Sequence, residues 1–126
     1  MNRQKKRIKV LIVDDEKYIR ELIGYALEEK GFITENASNG KVALEKVAQD
    51  KPDIIILDVM MPLMNGLQVC KRLKENSDTK DIPIIFLSAQ SYIDETIQDM
   101  LGRTIKYIEK PCDLGYLLAQ INNLIL

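Results

Sequence analysis

Asp58 ends an apolar run, Asp53-Ile54-Ile55-Ile56-Leu57-Asp58, and Val59-Met60-Met61-Pro62 and Asn65-Gly66 follow it. A β-branched run bounded by Pro52 and Pro62 reads as a buried strand. A carboxylate is out of place inside such a strand but fits its carboxyl end, where open parallel sheets bind ligands. Two more acids, Asp14 and Asp15, follow directly on a second apolar run, Val10-Leu11-Ile12-Val13. If these strands are neighbours, three carboxylates meet at one sheet edge. Their repulsion would raise pKa values or destabilise the fold unless a cation sits among them. Mg²⁺ suits such a set, because it takes one or two carboxylates and keeps several waters. Two further runs deliver Ser88, followed by Ala89, and Lys110, followed by Pro111, to the same edge. Carboxylates, a hydroxyl, an ammonium and a metal together fit phosphoryl transfer. The cations neutralise phosphoryl oxygens and a carboxylate serves as the nucleophile.

The elements that must position these groups alternate along the chain. Strands are expected at Ile8 to Val13, Phe32 to Asn36, Asp53 to Asp58, Ile82 to Ser88 and Ile105 to Glu109. The second is polar and reads as an edge strand. Helices are expected at Glu16 to Lys30, Asn39 to Asp50, Leu67 to Glu75, Tyr92 to Leu101, and after a cap at Asp113. The inner faces would be Ile19, Leu22, Ile23, Ala26 and Leu27 in the first helix, and Ala43, Leu44, Val47 and Ala48 in the second. Leu117, Leu118, Ile121, Leu124 and Ile125 would line the last. Met60, Met61 and Met64 read as apolar gap fillers. This alternation implies right-handed βαβ units on a parallel sheet, an α/β fold.

Composition narrows the function classes. The chain has 126 residues, 46% hydrophobic and 29% charged, with net charge −1. That suits one globular domain over residues 1–126 and gives no reason to expect direct nucleic-acid or membrane binding. A basic start, Arg3 to Arg7, reads as a solvated lead-in to the first strand. No run is long enough to span a bilayer, and no signal-peptide pattern opens the chain. Cys70 and Cys112 are far apart and read as reduced thiols in a cytoplasmic protein. There is no histidine, which removes His-dependent triads and nearly all zinc sites.

The acidic pair, Asp58 with Met61-Pro62 and Asn65-Gly66, Ser88-Ala89, and Tyr107 with Lys110-Pro111 occur in a specific order. In this the whole chain resembles the receiver domain of bacterial two-component response regulators. The resemblance implies a flavodoxin-like, doubly wound, five-stranded parallel sheet of order 2-1-3-4-5 with five helices. It implies that Asp58 accepts a phosphoryl group from a phosphohistidine on a sensor histidine kinase or histidine phosphotransfer protein. Asp15, Asp58 and the Met60 backbone carbonyl would hold Mg²⁺, with Asp14 acting through a water. Lys110 would pair first with Asp58 and then with the phosphoryl group. Ser88 would read the phosphoryl oxygen, and Tyr107 would follow it inward as a switch. The Lys110-Pro111 bond would be cis. Arg103 and Thr104 stand where the family usually has Gly and Ala, and Ser88 stands for the more frequent Thr.

These implications describe a signalling switch, not a turnover enzyme. As a stand-alone receiver it would act on a downstream effector protein or pass the phosphoryl group onward. The alternatives are a pseudo-receiver that works without phosphorylation and a receiver excised from a longer transcriptional regulator. A phosphatase of the haloacid dehalogenase type needs a second acid where Met60 stands. A flavodoxin needs a hydroxyl-rich phosphate loop where Asp14-Asp15-Glu16 stands.

Overall fold

Isoleucine, valine and leucine fill the central strands because both faces of the sheet are covered. In the computed structural model, which describes residues 7–89 and 95–125, five strands pair in parallel in the order β2-β1-β3-β4-β5. The strands are β1 (Lys9–Val13), β2 (Ile33–Ala37), β3 (Ile54–Asp58), β4 (Ile84–Ser88) and β5 (Ile105–Glu109). The helices are α1 (Lys17–Glu29), α2 (Gly40–Gln49), α3 (Gly66–Lys74), α4 (Glu95–Met100) and α5 (Leu114–Ile125). The expected flavodoxin-like topology is therefore observed, with β2 at an edge.

Side chains alternate between two cores, as strand geometry requires. Leu11, Val13, Ile55, Leu57, Ile84 and Phe86 point to one face and meet Ala43 and Val47 of α2, Val69 and Leu73 of α3 and Ile97 of α4. Val10, Ile12, Ile54, Ile56, Ile85 and Leu87 point to the other and meet Ile23 and Leu27 of α1 and Leu117 and Ile121 of α5. The registers Val10↔Ile54 and Ile55↔Ile84 align β1, β3 and β4, so their carboxyl ends finish side by side.

Several expectations shift. The second strand begins one residue later, at Ile33. Gly31 takes φ +93° to end α1, and the Phe32 N–H donates to the Leu27 carbonyl at 3.1 Å instead of joining the ladder. Phe32 is buried beneath the helix end, while Ile33 is 40% exposed. Leu22 and Ala48 face solvent, not the core. Met61 is buried and Met64 packs on the core, but Met60 is 55% exposed and fills no gap. The part of the fourth helix expected before Glu95, and Gln90 beside the site, lie outside the described residues.

Candidate functional site

The sheet's carboxyl edge gathers the chemistry. Asp14 follows β1, Asp58 ends β3, Ser88 ends β4, and Lys110 follows β5. Asp14, Asp58 and Ser88 are buried, and Asp15 beside them is exposed. One oxygen from each of Asp14, Asp15 and Asp58 lies within 4.8 Å of the others. Lys110 Nζ sits 2.7 Å from Asp14 Oδ2 and 3.6 Å from Asp58 Oδ2. The lysine's hydrogen bond is thus to Asp14, with Asp58 the more distant ionic partner.

Backbone contacts hold the cluster in place. The Asp14 N–H donates to the Ala37 carbonyl at 3.2 Å. Asp14 Oδ1 accepts from the Glu16 N–H at 2.9 Å, which links the carboxylate to the start of α1. Met60 N–H donates to Asp58 Oδ1 at 3.2 Å. Lys110 N–H donates to the Ser88 carbonyl at 2.6 Å, so the lysine and the hydroxyl residue share one strand pair. The Lys110-Pro111 bond is cis. Tyr107 lies in β5 opposite Phe86, half-buried against the core.

Below Asp58 the loop turns back sharply. The Gly66 N–H donates to the Val59 carbonyl at 3.0 Å. A Cβ at Gly66 would collide with the Asp58 carbonyl oxygen, so only glycine fits. Asn65 then caps α3: its side chain accepts from Gln68 N–H and the Gln68 side chain accepts from Asn65 N–H, both at 2.9 Å. The Asn65-Gly66 pair next to Asp58 therefore has two separate structural duties.

Burial and like charge dominate the electrostatics of the site. Asp58 is pushed up to about 6, first by burial and then by the nearby Asp14 charge, with Lys110 and the Met60 N–H opposing. Lys110 is raised overall: burial acts to lower it, but the Asp14 hydrogen bond and the Asp58 charge outweigh burial. Among the described residues, one ammonium faces three carboxylates. The donors are all hard oxygens, with no histidine or thiolate among them, so a hard divalent cation fits the cluster.

The sequence pattern of the response regulator receiver domain family matches residues 10–122. The chain belongs to that family. A receiver domain is a signalling module and not a turnover enzyme. Its sequence is 39% identical over 118 residues to response regulator MprA of Mycobacterium leprae, covering 94% of this chain and 51% of the relative. It is 36% identical to MprA of Mycolicibacterium vanbaalenii, covering 94% of this chain and 50% of that protein. The receiver domain thus spans about half the length of the curated relatives it matches. Among solved structures, chemotaxis protein CheY4 of Vibrio cholerae superposes with a TM-score of 0.86 at 29% identity, over 94% of this chain and 99% of that one. The receiver domain of a signal transduction histidine kinase from Syntrophus aciditrophicus gives 0.83 at 34% identity, over 93% and 89%.

Of the residues expected from the sequence, Asp14, Asp15, Asp58 and Lys110 come together, Met60 meets Asp58 through its N–H, and Ser88 ends the neighbouring strand β4, while Tyr107 stands two residues back along β5 from Glu109. Sequence reasoning missed Arg20. Its Nη1 donates to the Asp14 backbone carbonyl at 2.7 Å, fixing the acidic turn from the first turn of α1. The only cue was its place beside the apolar face of that helix. No helix among the described residues is long and apolar enough to cross a membrane.

Proposed function

We propose that this receiver domain is a phosphorylation-controlled switch with Asp58 as phosphoacceptor. The observation that carries the reading is a buried carboxylate in a receiver fold, with an ammonium at 3.6 Å and two further carboxylates grouped around it. The donor is a phosphohistidine on a sensor histidine kinase or phosphotransfer protein. An Asp58 oxygen attacks phosphorus, a P–O bond forms, the P–N bond breaks, and the imidazole leaves and takes up a proton. Asp15, Asp58 and the Met60 carbonyl are proposed to hold Mg²⁺, with Asp14 acting through a water. The metal supplies charge neutralisation for the phosphoryl oxygens.

The chain's own groups divide the remaining work. Lys110 lies between Asp14 and Asp58 and neutralises the incoming group. Ser88 donates its hydroxyl to a phosphoryl oxygen, and Tyr107 moves inward after it, changing the surface that a downstream effector protein reads. The setting is cytoplasmic, and neither direct nucleic-acid contact nor membrane contact is needed.

The test is incubation with Mg²⁺ and acetyl phosphate followed by intact-mass measurement. One phosphoryl adduct is expected, and none in Asp58→Asn or without Mg²⁺. No adduct under any condition leaves a receiver that binds partners without phosphorylation. The switch has its own test. If Tyr107→Ala leaves phosphorylation-dependent effector binding unchanged, that side chain has no switching role.

A further inference from the structure

The β3–α3 loop carries two features that the phosphoryl site does not use. Leu63 is fully exposed, and its φ is +69°. The backbone conformation serves a tight turn, in which the Met64 N–H donates to the Pro62 carbonyl at 2.8 Å, but folding gains nothing from the exposed side chain. Water surrounds an apolar side chain, and the left-handed backbone suits Gly or Asn better than a branched residue. Backbone outliers of this kind cluster at binding and switch sites.

Beside Leu63 opens a recess of about 490 Å³ lined by Met64, Gln68, Lys71, Arg72 and Glu75. Lys71 and Arg72 are exposed and make no ion pair among the described residues. An apolar lip thus stands next to two cations, with Glu75 the single acid of the lining.

We propose that this recess docks a segment of a partner protein that presents an apolar anchor flanked by carboxylates. The anchor packs on Leu63 and Met64. The carboxylates meet Lys71 and Arg72, whose guanidinium can bind one of them through two hydrogen bonds. A small amphipathic contact of this kind suits transient signalling. The recess is joined to Asp58 through the β3–α3 loop, which the Gly66 N–H ties to the Val59 carbonyl at 3.0 Å.

The test uses the whole chain and a labelled peptide of about twelve residues, Leu and Phe alternating with Asp and Glu, followed by fluorescence anisotropy. Saturable binding is expected, weakened by salt. Leu63→Asn is expected to weaken it about tenfold or more through the lost apolar contact. Lys71→Glu with Arg72→Glu is expected to weaken it at least as far. Asn tolerates the left-handed backbone, so Leu63→Asn should keep or raise the melting temperature while losing affinity, which separates docking from unfolding. Both variants should take phosphoryl groups from acetyl phosphate as the parent does, so failure here is distinguishable from failure of the phosphoacceptor reading. The proposal is overturned by three results: absent peptide binding, affinity unchanged in both variants, or stronger binding to phosphatidylglycerol vesicles than to the acidic peptide.

Discussion

Two charged clusters sit at opposite ends of the sheet, each built around one lysine. At the amino end Lys9 Nζ lies 3.0 Å from Glu35 and 2.5 Å from Asp50, and the Lys9 N–H donates to Asp53 at 2.8 Å. At the carboxyl end Lys110 lies 2.7 Å from Asp14 and 3.6 Å from Asp58. The two lysine side chains are equally hidden, 13% and 15% exposed. Their acids are not. Glu35 and Asp50 are 37% and 74% exposed, whereas Asp14 and Asp58 are 3% and 5%. Exposed carboxylates keep their water and ask little of a lysine. Buried ones have lost it, and a single ammonium does not restore it. The same residue types therefore give a structural staple at one end and, at the other, a site still attractive to cations. Burial of the acids makes the difference.

Removing each lysine should expose that difference. Lys110→Met leaves two buried carboxylates without their cation, a change expected to cost about 3–5 kcal/mol at neutral pH. Chemical denaturation should show it, and the loss should shrink as pH falls and Asp58 protonates. A pH-independent loss would mean that Lys110 stabilises by packing alone.

Asp58 itself supplies the next effect. Its pKa rises from 3.8 to about 6 on folding. The folded state thus holds this proton more tightly than the unfolded state. Folding loses stability as pH rises from about 4 to about 6, the loss is complete above that window, and none remains below it. The size is about 3 kcal/mol. Asp58→Asn should therefore be more stable than the parent at pH 8 in chelator, by up to that amount, with the advantage vanishing near pH 4. Adding Mg²⁺ should close the gap at pH 8 by stabilising only the parent. An advantage that persists at pH 4 would contradict the electrostatic origin.

Much of this is legible in the order of residues alone. The β-branched runs of β3 and β4 announce buried strands, and the acids that follow β1 and end β3 stand out because only apolar residues lead up to them. What stays hidden has physical causes. Asp14 and Lys110 are 96 residues apart, so their hydrogen bond depends on the register of strands that a sequence does not fix to the ångström. Arg20 binds a backbone carbonyl, and a carbonyl has no side-chain signature. Phe32 reads as the first strand residue on propensity, yet the termination of α1 takes its N–H. Leu22 and Ala48 fall at the margins of their apolar stripes, where helical period alone cannot say which side is covered.

Lys9→Met gives the smallest effect and the strictest check on the comparison. The aliphatic stem is replaced by one of similar length, so packing around the hidden side chain is largely kept. Burial acts to lower the Lys9 pKa, but the hydrogen bonds and charges of Asp50 and Glu35 outweigh it and leave it raised. That raised value makes the cluster favourable to the folded state below the ordinary lysine range, and the contribution fades only in strong alkali. Because Glu35 and Asp50 rehydrate once the ammonium is gone, the loss should be about 1 kcal/mol or less and should diminish with added salt. Phosphoryl uptake from acetyl phosphate should be unchanged, since the cluster lies at the opposite end of β1 from Asp14. Equilibrium unfolding of Lys9→Met beside Lys110→Met at two salt concentrations measures both at once. If Lys9→Met costs as much as Lys110→Met, burial of the acids is not what separates the two ends of this sheet.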